Sequence, residues 1–350
     1  MSKESIKNLI REGTVIPAHP LALTQDRKLD EVHQRLLTRY YMASGAGGVA
    51  VGVHSTQFEI RNEDVRLYEP VLRLAKEEVD AAQLNRPFAM VAGIVGPTDQ
   101  ALREAELASK MGYDFGLLSM GGLQNYSFAQ LLERTQKVGE VLPVFGFYLQ
   151  PAVGGQILPY EFWRDFADIP SVAAIKMAPF DRYQTIDVVR AVIHSERWQE
   201  IALYTGNDDN IIADLLTEYA FRFSGEIRRK RIVGGLLGHW AVWTSKAVEL
   251  LKEIKAIHKS GKGIPAEMLT RNIEVTDANG VVFDVANNFH GCIPGIHEVL
   301  RRQGLLKGIW CLNPKETLSP GQAEELDRIA IQYPDMHDDE FVKTFLSKEK

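Results

Sequence analysis

Short apolar runs rich in β-branched residues alternate eight times with amphipathic stretches whose apolar positions recur three and four apart. The runs predict strands at 14–17, 48–52, 88–94, 115–119, 144–148, 173–177, 201–205 and 232–236. The intervening periodicity predicts helices at 29–43, 64–82, 99–111 and 128–141, among others. Thr98 reads as the N-cap of the helix that follows it, and Gly112 as its C-cap. Eight consecutive strand–helix units predict an α/β protein, a (β/α)8 TIM barrel over residues 1–258. A doubly wound sheet is the competing architecture, but eight units and no Gly-x-Gly-x-x-Gly after the first strand argue against it.

Residues 259–350 depart from this rhythm and predict a mainly helical extension packed on the barrel. Helical spacing returns at 296–303 and 320–332, whereas Asp277-Ala278-Asn279-Gly280 has the composition of a hairpin turn. The acidic stretch 335–340 and the tail 347–350 read as a solvated end.

Composition changes this picture little. The chain of 350 residues is 45% hydrophobic and 25% charged, enough to bury a large core. A formal net charge of −6 supplies no attraction to nucleic acid or to an anionic membrane. No apolar run approaches membrane-spanning length, the first residues carry no apolar signal region, and Cys292 and Cys311 are the only cysteines. Together these lead to the expectation of a cytoplasmic protein.

The chemistry is concentrated where predicted strands end, which in such a barrel is the catalytic face. Lys176 is the most telling residue. It lies in the apolar run 172–179, where a lysine must find a partner, lose its charge or do chemistry. Desolvation would free its amine as a nucleophile, and Tyr148, at the end of the preceding strand, is a phenol able to shuttle protons. The plain alternative is a lysine ending its strand in solvent or in a structural pair. Other strand ends contribute His19, then His54, Ser55 and Thr56, then Gly206, Asn207 and Asp208, and finally His239.

In order and spacing these features resemble the dihydrodipicolinate synthase / N-acetylneuraminate lyase family of class I aldolases. His19-Pro20-Leu21 is similar to that family's first-strand motif, and 46–52 to the run into its second-strand motif. Tyr148 with Pro151 resembles its Tyr-x-x-Pro, Ile175-Lys176 its Schiff-base lysine, and Gly206-Asn207-Asp208 its Gly-Asp. The stretch 297–304, with Pro314 and Leu318-Ser319, resembles its C-terminal helices. The resemblance implies a lyase without a cofactor or metal. Lys176 would attack a 2-oxo acid such as pyruvate, Tyr148 would relay protons, and an aldehyde or sugar acid would be the second partner. It also implies a homo-oligomer, a tetramer or a dimer.

Departures define what is different. Val53 stands where the family has a relaying threonine, Met120-Gly121-Gly122 holds no tyrosine, and Val153 falls at the carboxylate-binding arginine. A true dihydrodipicolinate synthase is therefore not expected. His54 becomes the candidate to replace the lost relay, with Ser55, Thr56, His19, Gly206, Asn207, Asp208 and His239 as candidate substrate contacts. Two alternatives stay open: a keto-acid- or sugar-binding barrel without catalysis, and a metal-dependent hydrolase using His19, His54 and His239.

Overall fold

In the computed structural model, which describes residues 2–349, eight parallel strands close into a barrel. They are β1 (Val15–Pro17), β2 (Gly48–Val51), β3 (Ala89–Ile94), β4 (Phe115–Ser119), β5 (Val144–Leu149), β6 (Val172–Ala178), β7 (Ala202–Thr205) and the second half of β9 (Glu226–Leu237), which forms a hairpin with β8 (Glu218–Phe223). β1 pairs with β9, and an Ala18–Ala50 bridge joins β1 to β2, completing the ring. The predicted (β/α)8 architecture is the one observed; the strand boundaries fall within one residue of those expected except that β9 begins at Glu226 rather than 232, and the helix expected from 64 begins at Tyr68.

Two apolar layers result, because a strand sends alternate side chains to opposite faces. Outside the ring, strand residues such as Leu118, Tyr148, Ile175 and Met177 pack under the helices. Inside it, Phe115, Phe145, Phe147, Ala174 and Tyr204 fill the barrel. The helix Lys3–Glu12 plugs the bottom with Ile6 and Ile10, and the Tyr204 hydroxyl donates to the Ile10 carbonyl at 2.9 Å. Chemistry is thereby confined to the other end.

The basic run Arg228-Arg229-Lys230-Arg231 lies in β9, where Arg229 and Arg231 pair across the hairpin with Glu218. Three expectations are corrected. Asp277-Ala278-Asn279-Gly280 forms no hairpin turn but lies within the helix Glu267–Val282, whose tertiary contacts override the local turn composition. The helix after Thr98 begins at that residue, and Pro97 takes the N-cap position without a side-chain cap. Nor is the acidic stretch a loose end. Asp338 is buried, accepting from the Tyr40 hydroxyl at 2.7 Å and the Ser245 amide at 3.2 Å, and the helix Asp339–Lys348 follows it.

The last segment covers the barrel mouth. From the helix Glu267–Val282, Asn279 donates to the Asp208 carbonyl at 2.7 Å and Thr276 to the Asp209 carbonyl at 2.8 Å. Gly238, at the end of β9, leaves room for Phe283, whose ring atoms would sit 3.3 Å from an added Cβ. The helix Cys292–Arg302 then lies over the opening.

Candidate active site

β6 carries Lys176 on the inward face, at the level of Phe147 in β5. Its Nζ lies 4.3 Å from the centroid of the Phe147 ring, within a cavity of ≈ 70 Å³ at the barrel mouth. Gly206 makes this placement possible, since a Cβ there would fall 2.5 Å from Lys176 Cε. Burial lowers the lysine pKa, an effect partly offset by the Asp208 carboxylate facing the same cavity. Asp208 responds in the opposite sense: burial raises its pKa and the lysine charge partly opposes the rise. The pair is thus held near the balance between ammonium–carboxylate and amine–carboxylic acid.

His54 also lines the cavity, at the start of a single 3₁₀ turn, His54–Thr56. Burial, reinforced by the Lys176 charge, lowers its pKa to about 4, so it is a neutral imidazole at physiological pH. The turn is fixed from beneath. Thr56 Oγ1 accepts from the amides of Gly52 and Val53 and donates to the His19 carbonyl at 2.7 Å, while Ser55 Oγ donates to the Ala18 carbonyl at 2.9 Å. Ser55 lines the cavity, but its proton is committed; Thr56 is wholly structural.

Tyr148 is not where the sequence reading put it. It pairs in register with Met177, not Lys176, and so points to the outer face. There its hydroxyl donates to Gln184 at 2.7 Å and accepts from the Leu158 amide at 3.2 Å, and its ring packs against Trp163. The group that faces the lysine is the Phe147 ring, which has no proton to give.

Three more candidates are displaced. His19 is fully buried, bonded to the Pro20 carbonyl at 2.8 Å and Thr38 at 2.9 Å, and packs edge-on against Tyr41. His239 packs against Trp243, outside the lysine cavity. Asn207 turns away to Thr185 and Asp214, although its Oδ1 accepts from the Phe180 amide at 3.1 Å and so holds the loop after β6. The three histidines therefore do not meet, and among the described residues no three His, Cys, Asp or Glu side chains form a metal-binding group. The histidine-based hydrolase reading has no site.

Gln150, a strand-end residue, lies just past the end of β5, and Val153, at the position of the carboxylate-binding arginine, lies in the short turn after it. The other lining residues were not read from the sequence. Phe180 follows β6, and Phe283, Phe289, Cys292 and Ile296 descend from the C-terminal segment. The cysteine thiol is pushed up by burial and by nearby carboxylates, so it stays protonated. A larger open groove of ≈ 1160 Å³ lies beside the rim but contains none of Lys176, Asp208 and His54.

Fold and site define a (β/α)8 barrel with a buried lysine of lowered pKa on its sixth strand. No family model matches the chain. The sequence is 25% identical over 205 residues to N-acetylneuraminate lyase from Citrobacter koseri, a match covering 58% of this chain and 65% of that enzyme, just under two thirds of its length. Dihydrodipicolinate synthase from Oceanobacillus iheyensis has the same fold, with a TM-score of 0.72 over 95% of this chain and 98% of the other, at 16% identity. A prophage protein of the dihydrodipicolinic acid synthase family from E. coli K12, solved with pyruvate, gives a TM-score of 0.73 over 91% of this chain and 98% of the other, at 18% identity. The chain thus shares its fold with solved members of the dihydrodipicolinate synthase / N-acetylneuraminate lyase family and is similar in sequence to one such lyase over 58% of its length.

Proposed function

We propose that this protein is a lyase that forms a Schiff base between Lys176 and a 2-oxo acid, and makes or cleaves a carbon–carbon bond at the adjacent carbon. The observation that carries this reading is a solitary amine, its pKa lowered by burial, in a cavity of pyruvate size. A water position needs about 10–15 Å³ on this measure, so the space accepts roughly five to seven water-sized groups. A small 2-oxo acid is of that size. The similarity to N-acetylneuraminate lyase supports the same class of reaction.

The residues divide the work as follows. The neutral Lys176 amine attacks the keto carbon, and Asp208 in its acid form supplies the proton that converts the keto oxygen into departing water. The resulting iminium cation lies where the ammonium did, above the Phe147 ring, whose negative face stabilises it by about 2 kcal/mol when desolvated. His54, neutral and facing the cavity, takes a proton from the neighbouring carbon to give the enamine. Gln150 is the uncharged amide at the rim available to the substrate carboxylate. Hydrolysis of the imine restores the lysine.

A second reading is favoured by one observation: neither Tyr148 nor Val53 presents a hydroxyl to Lys176. A barrel that captures a keto acid without turning it over would have this wall. Incubation with pyruvate and borohydride, followed by peptide mass mapping, tests both readings. A reduced adduct on Lys176 together with exchange of the pyruvate methyl protons in D₂O supports the lyase; an adduct without exchange supports the binding barrel. No adduct overturns the lyase, and pyruvate binding without an adduct in calorimetry then supports a non-covalent binding barrel.

A further inference from the structure

Two aromatic residues in left-handed backbone conformations face each other across the mouth. Phe180, in the loop after β6, has φ 52°, and Phe289, in the C-terminal segment, has φ 65°. Their rings meet edge to face with centroids 5.9 Å apart. Such conformations are costly for residues with a side chain, and they persist where surrounding contacts enforce them, often at ligand clamps. The enforcing contacts are visible here. The Asn207 side chain holds the Phe180 amide, and the Phe289 amide donates to the Asp284 carbonyl at 3.0 Å. The Asp284 carboxylate in turn accepts from Ser319, Asn287 and the Gly291 amide, pinning the base of this loop. Its stretch 285–288 is exposed. The loop is anchored at its ends and free at its tip.

The enclosed space of ≈ 70 Å³ around Lys176 is of the order of a small 2-oxo acid. A second substrate must therefore enter by parting Phe180 from Phe289, and its wall is then these two rings with Phe283, Ile296 and Cys292. The polar groups of the site are few, and the reaction at Lys176 already occupies them. The Ser55 proton goes to a backbone carbonyl, and no arginine lines the cavity. A polyhydroxylated aldehyde would leave several buried hydroxyls unpaired, each weakening binding by about ten-fold. A flat apolar group would instead stack on the parted rings.

We propose that the second substrate of this site is an aromatic aldehyde, bound between Phe180 and Phe289. The proposal rests on the Schiff-base reading above and names its partner. In the forward direction the enamine carbon bonds to the aldehyde carbon, the aldehyde oxygen takes up a proton, and water hydrolyses the iminium to release a 4-aryl-4-hydroxy-2-oxo acid and the free lysine. No electrons are gained or lost overall.

The experiment has two stages on the full chain. Borohydride trapping with pyruvate first establishes whether Lys176 forms the imine. Aldol product is then quantified by mass spectrometry with pyruvate and either benzaldehyde or N-acetylmannosamine. We expect kcat/KM to favour benzaldehyde at least ten-fold, Phe289→Ala to reduce that preference at least ten-fold, and Phe289→Tyr to restore it. Phe180→Leu, a milder change in packing, is expected to move the preference in the same direction. A preference for the sugar, product from neither aldehyde, or an unchanged preference in both Phe289→Ala and Phe180→Leu overturns the aromatic subsite while leaving the imine intact. Absence of the pyruvate adduct overturns the Schiff-base reading and this proposal with it.

Discussion

Phe147 and Tyr148 are neighbours in β5, yet one lies inside the barrel and the other outside it. Phe147 meets the Lys176 ammonium, while Tyr148 lies among Trp163, Gln184 and the Leu158 amide under the helical layer. A single residue step separates a reaction surface from a packing surface, because the strand period of two sends consecutive side chains to opposite faces. In this chain the phenol supports the wall, and the aromatic group beside the amine acts through the charge distribution of its ring. Burial in this apolar surround lowers the lysine pKa, and the Asp208 carboxylate partly opposes it.

The sharpest test of the inner face is Lys176→Ala. With the nucleophile gone, turnover and the borohydride adduct should fall below detection, a loss of at least about 10³-fold given what positioned covalent groups contribute. Unaltered circular dichroism would show that the barrel still forms. Residual activity near the parent value would move the chemistry away from β6.

Phe147→Leu keeps the volume roughly constant and removes the ring face. The iminium then loses about 1–2 kcal/mol, so imine formation should weaken by about ten-fold in a pyruvate titration followed by borohydride trapping. An unaffected titration would reduce Phe147 to a filler like Phe145 below it.

Tyr148→Phe probes the other face and should behave in the opposite way. Losing the hydroxyl strips Gln184 and the Leu158 amide of a partner, costing about 1–3 kcal/mol of stability in urea unfolding. The rate should stay within about three-fold. A loss of 10²-fold or more would return the phenol to the proton relay.

The smallest expected effect is on the pH profile. Imine formation needs the neutral amine with Asp208 in its acid form, so kcat/KM should be greatest where the pair shares one proton, below the ordinary lysine value of about 10.4, and should fall once that proton is lost. The Asp208 anion favours the ammonium, so Asp208→Asn, besides slowing the reaction by removing the acid, should abolish the alkaline fall and move the rise to lower pH. An acid limb from His54 belongs near 4, not at the unperturbed histidine value. A profile whose rise moves upward in Asp208→Asn would contradict the charge coupling across the cavity.

The barrel itself was legible because its signal is local and repeated. Eight apolar runs spaced by amphipathic stretches leave few alternatives, and the strand ends at Lys176, His54 and Asp208 point to one mouth whatever the details. The histidines show the limit of that signal. His19, His54 and His239 are equivalent as strand-end residues, but backbone geometry turns His19 toward Thr38, sets His239 against Trp243, and leaves His54 facing the lysine.

What the sequence alone determined, then, is which elements form and where the lysine falls along them, since both depend on residues within one run. What only the tertiary structure decided is which way each side chain faces and what closes over it. A strand's register against its neighbour chose Phe147 over Tyr148 as the partner of Lys176. Helical packing against Asp208 and Asp209 turned a turn-like tetrapeptide into the clamp that holds the mouth. Phe283, Phe289 and Cys292 reach the cavity from more than a hundred residues beyond Lys176. Their approach depends on the chain's return over the barrel, a long-range contact that no local pattern of apolar and polar positions encodes.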